Sequence, residues 1–111
     1  MSKYYNRKTE VDGIKFDSKK EARRYQELKI MERAKIITNL RLQPRYQLQE
    51  RYTNGDGKKI REMSYVADFE YHDTVSGLLT VEDVKGMKTK EYLLKKKLFE
   101  KVYYPLTITE V

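Results

Sequence analysis

The sequence predicts an α/β domain in which a mixed sheet is flanked by two helices, and three observations carry that prediction. A capped, amphipathic helical pattern opens at Ser18. From Leu42 the apolar period shifts to two, and turn signals at 53–59 and 73–77 cut that region into three strands. A second helical pattern over 88–104 stops at Pro105 and leaves one last strand-like segment. The order is helix, three meandering strands, helix, strand. A chain of 111 residues builds one real core and has no room for a second.

Residues 1–15 mix charge and tyrosine around an Asp12-Gly13 turn and are expected to form a basic arm or short hairpin ahead of a single domain over 16–111. In "SKKEARRYQELKIMERAKI", Ser18 is the N-cap and Glu21 the third helical residue, which makes a capping box. Tyr25 and Leu28 follow Glu21 by four and seven, so the glutamate lies in line with the apolar stripe. "LQPRYQLQERY" alternates Leu42, Pro44, Tyr46 and Leu48 against polar neighbours, and "TNGDGKK" is the turn that closes a hairpin.

The return strand, "REMSYVADFEYH", puts Tyr65, Ala67, Phe69 and Tyr71 on one face and Asp68 on the other. Glu70 and Asp73 read as surface acids and His72 as an exposed strand-end residue. "LLTVEDVKG" is the most apolar strand and belongs at the sheet centre. Asp83 and Lys85 share a side with Leu79 and Val81; Glu82 faces the other way and is expected to be structural or to pair with a basic residue. In "KTKEYLLKKKLFEKVYY" the apolar arc is Leu94, Leu98, Phe99 and Val102, with Lys95 inside it, and "LTITEV" is the final strand.

Composition narrows the chemistry. Lys and Arg number 24 against 17 Asp and Glu, a formal charge of +7, which favours polyanionic partners and nucleic acid first. The absence of cysteine excludes disulfides, thiolate zinc sites and cysteine nucleophiles, and a single histidine excludes a multi-histidine metal site. No leader-like apolar segment and no run of membrane-spanning length stand out, so a cytoplasmic protein without a membrane partner is expected.

Two antiparallel strands joined by a short turn bring Asp68 opposite or diagonal to Asp83. Carboxylates that close repel each other unless a cation lies between them, and a divalent metal is the natural one. With oxygen ligands alone, Mg²⁺ or Mn²⁺ suits the site. Lys85, on the side of Asp83, then lies where it can orient or help deprotonate water, or stabilise developing phosphate charge.

With "YVADF" followed after a turn by "VEDVKG", the sequence resembles the PD-(D/E)xK nuclease superfamily. The αβββαβ core of that superfamily, the restriction-endonuclease-like fold, has the order read above from periodicity. More narrowly, "FDSKKEA" ahead of "ADFEY" and "EDVKG" resembles a group of small phage-encoded proteins of unknown function. The resemblance covers roughly residues 16–111. It implies a Mg²⁺-dependent DNA endonuclease that leaves 5′-phosphate and 3′-hydroxyl ends. Asp68 and Asp83 would be metal ligands, the Val84 carbonyl a third, and Lys85 the catalytic lysine. Glu21 matches a glutamate that many members direct at the metal site from the first helix. Ala67 stands where the motif has proline.

Because one small domain carries one active site, cutting two strands implies a homodimer, and a symmetric dimer suits branched DNA such as a Holliday junction. Phage recombination, replication or packaging in the host cytoplasm would be the setting. Candidate phosphate contacts are Arg7, Lys8, Arg23, Arg24, Lys88, Thr89, Lys90, Lys95 and Lys96, with N-capping as the competing use of Thr89. The rival class is a non-catalytic, basic nucleic-acid-binding module whose acids are structural.

Overall fold

The structure is a computed structural model and describes residues 8–85 and 88–111. The chain opens with an antiparallel hairpin, β1 (Thr9–Val11) and β2 (Ile14–Phe16), turning at Asp12 and Gly13, both at positive φ. Its Val11, Ile14 and Phe16 pack with Ala22, Tyr25 and Leu28 of helix α1 (Lys19–Arg33). Residues 9–16 therefore join the core rather than standing apart as an arm.

Helix α1 begins as its capping residue dictates: the Glu21 backbone N–H donates to Ser18 Oγ at 3.1 Å. It buries Glu21, Ala22, Tyr25 and Leu28 on one stripe. Lys35, at φ 62, turns the chain out of the helix and into β3 (Ile37–Leu42), a strand that apolar alternation does not predict. The reason is an irregularity inside it. Asn39 sits at φ 57 and the register with its partner shifts between Thr38 and Arg41, so strict alternation is lost.

Strand β4 (Arg45–Gln49) leads to a two-residue ladder, β5 (Tyr52–Thr53) with β6 (Lys59–Ile60), closed by the Asn-Gly-Asp-Gly turn. Asn54 Oδ1 accepts from the N–H groups of Asp56 and Lys58 and locks that turn. The chain returns as β7 (Met63–Val66), which pairs with β4, and continues as β8 (Phe69–Asp73), whose His72 is exposed. Then come β9 (Leu79–Asp83), helix α2 (Lys90–Val102) and β10 (Ile108–Glu110). The main sheet has the order β10-β9-β8-β3, with β10 parallel to β9 and the other pairs antiparallel. It is mixed, and the "VED" strand lies inside it, as its apolar content predicts.

The segment expected to run as one strand is broken at Ala67–Asp68. Facing the break, Gln43 at φ 50 and Pro44 separate β3 from β4. The two kinks are tied together: Gln43 N–H donates to the Asp68 carbonyl at 2.9 Å and Ala67 N–H to the Pro44 carbonyl at 3.1 Å. Across this joint the strand faces exchange. Tyr65 and Ala67 lie in a cluster with Tyr46, Leu48, Val81 and Phe99, whereas Phe69 and Tyr71 lie in the cluster against α1. The four residues do not share one face. Glu70, expected at the surface, is accordingly turned inward; it accepts from the Tyr46 hydroxyl at 2.6 Å and from Arg41 at 3.1 Å.

Helix α2 also presents a different face from the one its leucines suggest. Tyr92 and Phe99 are buried, while Leu94 and Val102 are about half exposed. Phe99 meets the rings of Tyr46, Tyr65 and Tyr103 at 4.9, 5.7 and 5.1 Å, and Tyr92 meets Tyr65 at 6.4 Å. Ring pairs of this kind contribute on the order of 1 kcal/mol each beyond the area they bury, enough to fix the helix's rotation against the sheet.

Candidate active site

Register builds the site. Phe69 stands opposite Glu82, so the preceding Asp68 meets the following Asp83 across the β8–β9 ladder, at the joint where β7 parts from β8. Two bonds fix Asp68 there: its N–H donates to the Glu82 carbonyl at 3.1 Å, and its Oδ2 accepts from the Val84 N–H at 2.7 Å. Asp83 is buried and held from both sides. The Tyr65 hydroxyl donates to its Oδ2, and Lys85 Nζ lies 3.0 Å from its Oδ1. Asp83 and Lys85 thus do share a side, as their spacing requires.

Lys85 is positioned in turn by α2. Its Nζ rests 4.1 Å from the centroid of the Tyr92 ring, a cation–π contact. The Tyr92 hydroxyl donates to Glu110 Oε2 at 2.7 Å, and Glu110 neighbours Asp83 in the parallel β9–β10 pair. Glu21 comes from the opposite layer: buried in the first turn of α1, it lies near enough to Asp68 and Asp83 to feel both carboxyl groups. Glu82 explains itself by the alternation, since it points to the α1 side. There it binds the Tyr71 hydroxyl and takes Arg24 Nε at 2.8 Å and Arg24 Nη2 at 2.6 Å.

Burial raises the Asp68 carboxyl most; Asp83 and Glu21 add to the rise, and the Val84 N–H opposes it, leaving the pKa at about 8. Glu21 is also raised, by burial first and then by Asp17 and Asp83. The site therefore carries a surplus of carboxylate that a proton relieves at neutral pH, and a divalent cation can take that proton's place. Among the described residues no three His, Cys, Asp or Glu side chains close around one point. The carboxylates that meet are the Asp68–Asp83 pair, with both Asp83 oxygens engaged by Tyr65 and Lys85, and Glu21 stands at the margin.

The chain matches, over residues 1–111, the family described as "Protein of unknown function (DUF1064)". It belongs to that family. No curated protein and no solved structure matches it.

The basic residues of this family member divide by what holds them. Arg24 is held by the buried Glu82 and by Glu27, and Lys96 pairs with Glu100 at 2.9 Å. Thr89 caps α2 by accepting the Tyr92 N–H at 3.0 Å, the competing use foreseen for it. Lys8 pairs with Asp17, Lys88 with Glu110 and Lys95 with Glu91, all toward the surface. Arg23 and Lys90 are exposed. Arg7, with Tyr4 and Tyr5, lies outside the described residues.

A cleft of about 690 Å³ opens beside Lys85, lined by Tyr65, Thr89, Tyr92 and Lys95 on one side and by Arg45 and Arg61 on the other. Tyr65 and Tyr92 are the site residues that sequence reasoning misses. Both look like ordinary core tyrosines, and only the register reveals that their polar ends meet Asp83 and carry Lys85. Among the described residues no helix is long and apolar enough to cross a membrane.

Proposed function

We propose that this protein is a metal-dependent DNA endonuclease with a restriction-endonuclease-like core, hydrolysing phosphodiester bonds with Mg²⁺ or Mn²⁺. The observation that carries this reading is the convergence of Asp68, Asp83 and Lys85 at the strand joint, with the two aspartates set inward and Lys85 lining an open cleft. Within the main sheet the order α1, three strands (β3, β8, β9), α2, β10 supports it, as does Glu21 from the first helix. So does the motif resemblance to PD-(D/E)xK nucleases. Acidic pairs and ion pairs also occur in purely structural settings, yet those are normally sealed, whereas Lys85 borders an open cleft of about 690 Å³.

Each residue has a role in this reading. Asp68 and Asp83, with the Val84 carbonyl, would hold the cation, which supplies Lewis acidity and charge neutralisation at the phosphate. Tyr65 orients Asp83 and keeps its second oxygen fixed. Lys85, held between Asp83 and the Tyr92 ring, donates a hydrogen bond to the attacking water or to a phosphate oxygen as charge grows there. Glu21 holds its place beside Asp68 and adds negative charge that favours cation over proton. Arg23, Lys88, Lys90 and Lys95 contribute phosphate contacts around the rim. One such site cuts one strand, so a homodimer acting on branched DNA, such as a Holliday junction, is the preferred assembly and substrate.

The test uses supercoiled plasmid and synthetic four-way junctions with Mg²⁺ or Mn²⁺, then with EDTA. The expected result is cleavage that requires the metal, prefers the junction and disappears in Asp83→Ala. Retained binding with no cleavage of any DNA form would instead establish the non-catalytic module.

A further inference from the structure

The hairpin beyond the site carries charge that the fold does not use. Arg45 on β4, Arg61 just before β7 and Arg51 just before β5 are all exposed. Among the described residues none of the three forms an ion pair. Arg45 and Arg61 line the cleft beside Lys85, and they also line a second cleft of about 820 Å³ together with Arg51 and Gln47. The two clefts are contiguous through these shared arginines. A continuous path therefore runs from Lys85 and Lys95 at the candidate site out along the hairpin.

The lining is selective in chemistry. Glu50 and Glu62 also border the outer cleft, Glu62 accepting from Gln47 Nε2 at 2.7 Å, and the three arginines outnumber the two carboxylates. The cations here are arginines rather than the lysines that dominate α2, and a guanidinium fork matches two phosphate oxygens at once. Tyr46 and Leu48 point inward and anchor β4 in the core, so Arg45 and Gln47 are presented from a rigid strand rather than a loose loop.

We propose that Arg45, Arg61 and Arg51 form a phosphate track that grips a duplex DNA arm outside the scissile position. This deepens the nuclease reading and rests on it for the identity of the polyanion. The track sets binding and register; Lys85 and the two aspartates act on the bond.

The experiment compares the wild type with a triple variant, Arg45→Gln, Arg51→Gln and Arg61→Gln, and with a charge-matched control, Lys15→Gln, Arg33→Gln and Lys35→Gln. Binding to a fluorescent 30-base-pair duplex is followed by anisotropy in EDTA across a salt series, with thermal melts to confirm folding. The track variant is expected to bind at least about tenfold more weakly, with a log K against log salt slope shallower by about 2.7, while the control changes far less. Wild-type binding by the track variant, or an equal loss in the control, overturns the proposal. Because binding is read in EDTA, a wild type that binds in this pattern but never cleaves sinks the nuclease reading alone.

Discussion

At the residue scale the account turns on Asp68. Its carboxyl titrates near 8 in the folded chain against an ordinary value of 3.8, because burial and the neighbouring Asp83 disfavour its charge. The folded state thus holds a proton that the unfolded chain releases between those values. Its contribution to stability is present at low pH and is lost as pH rises toward 8. Asp68→Asn keeps an acceptor for the Val84 N–H and removes that titration. Its melting temperature should exceed the wild type's by on the order of 5 °C at pH 8.5, and the gap should narrow at pH 5.5. A gap that stays constant across this range would show that Asp68 is not the group holding the proton. A cation that replaces the proton should show the mirror behaviour. Mg²⁺ or Mn²⁺ should raise the wild-type melting temperature more at pH 8.5 than at pH 6.5, with affinity changing by up to about tenfold per pH unit, and should do so little in Asp83→Asn.

At the element scale the strongest internal tie is Glu82 with Arg24, which clamps β9 to α1 directly behind the site. Arg24→Ala leaves a buried carboxylate without its partner and should cost roughly 3 kcal/mol, measured by urea unfolding. A loss under about 0.5 kcal/mol would mean the pair carries no structural weight. That Glu82 faces away from Asp83 and pairs with a basic residue was legible before any coordinates, because the two alternate along the strand; that the partner is Arg24, read as a phosphate contact, was not. Both helix caps and the Asn54 turn were legible too, since each rests on chemistry local to a few residues. What alternation misses are the breaks in it. Asn39 and Gln43 at positive φ hide β3 and the kink, and neither is a glycine that would announce the turn. The arc read for α2 holds at Leu98 and Phe99 and fails at Leu94 and Val102, because Tyr92 and Tyr103 pack beside Phe99 and turn the helix toward the rings.

At the scale of the whole molecule, the site exists because two strands bend together. The tied kinks at Gln43–Pro44 and Ala67–Asp68 turn one long hairpin into two sheets, and Asp68 stands at the fork. The hairpin half then carries Arg45, Arg51 and Arg61 along the clefts, while the other half pairs with β9 and brings Asp68 to Asp83. The aspartates and Lys85 could be singled out from the sequence, since i and i+2 on a central strand must share a side. The arginine track could not, because its members are separated by a turn and meet only through strand pairing.

The most direct measurement is single-turnover cleavage of a labelled four-way junction by wild type, Asp68→Asn, Asp83→Asn and Lys85→Met, with DNA binding and folding measured on the same samples. The account predicts Mg²⁺-dependent scission that leaves 5′-phosphates, and rates at least about a hundredfold lower in every variant while binding persists. Cleavage that survives in EDTA, or that proceeds at the wild-type rate without Asp83 or Lys85, would contradict it.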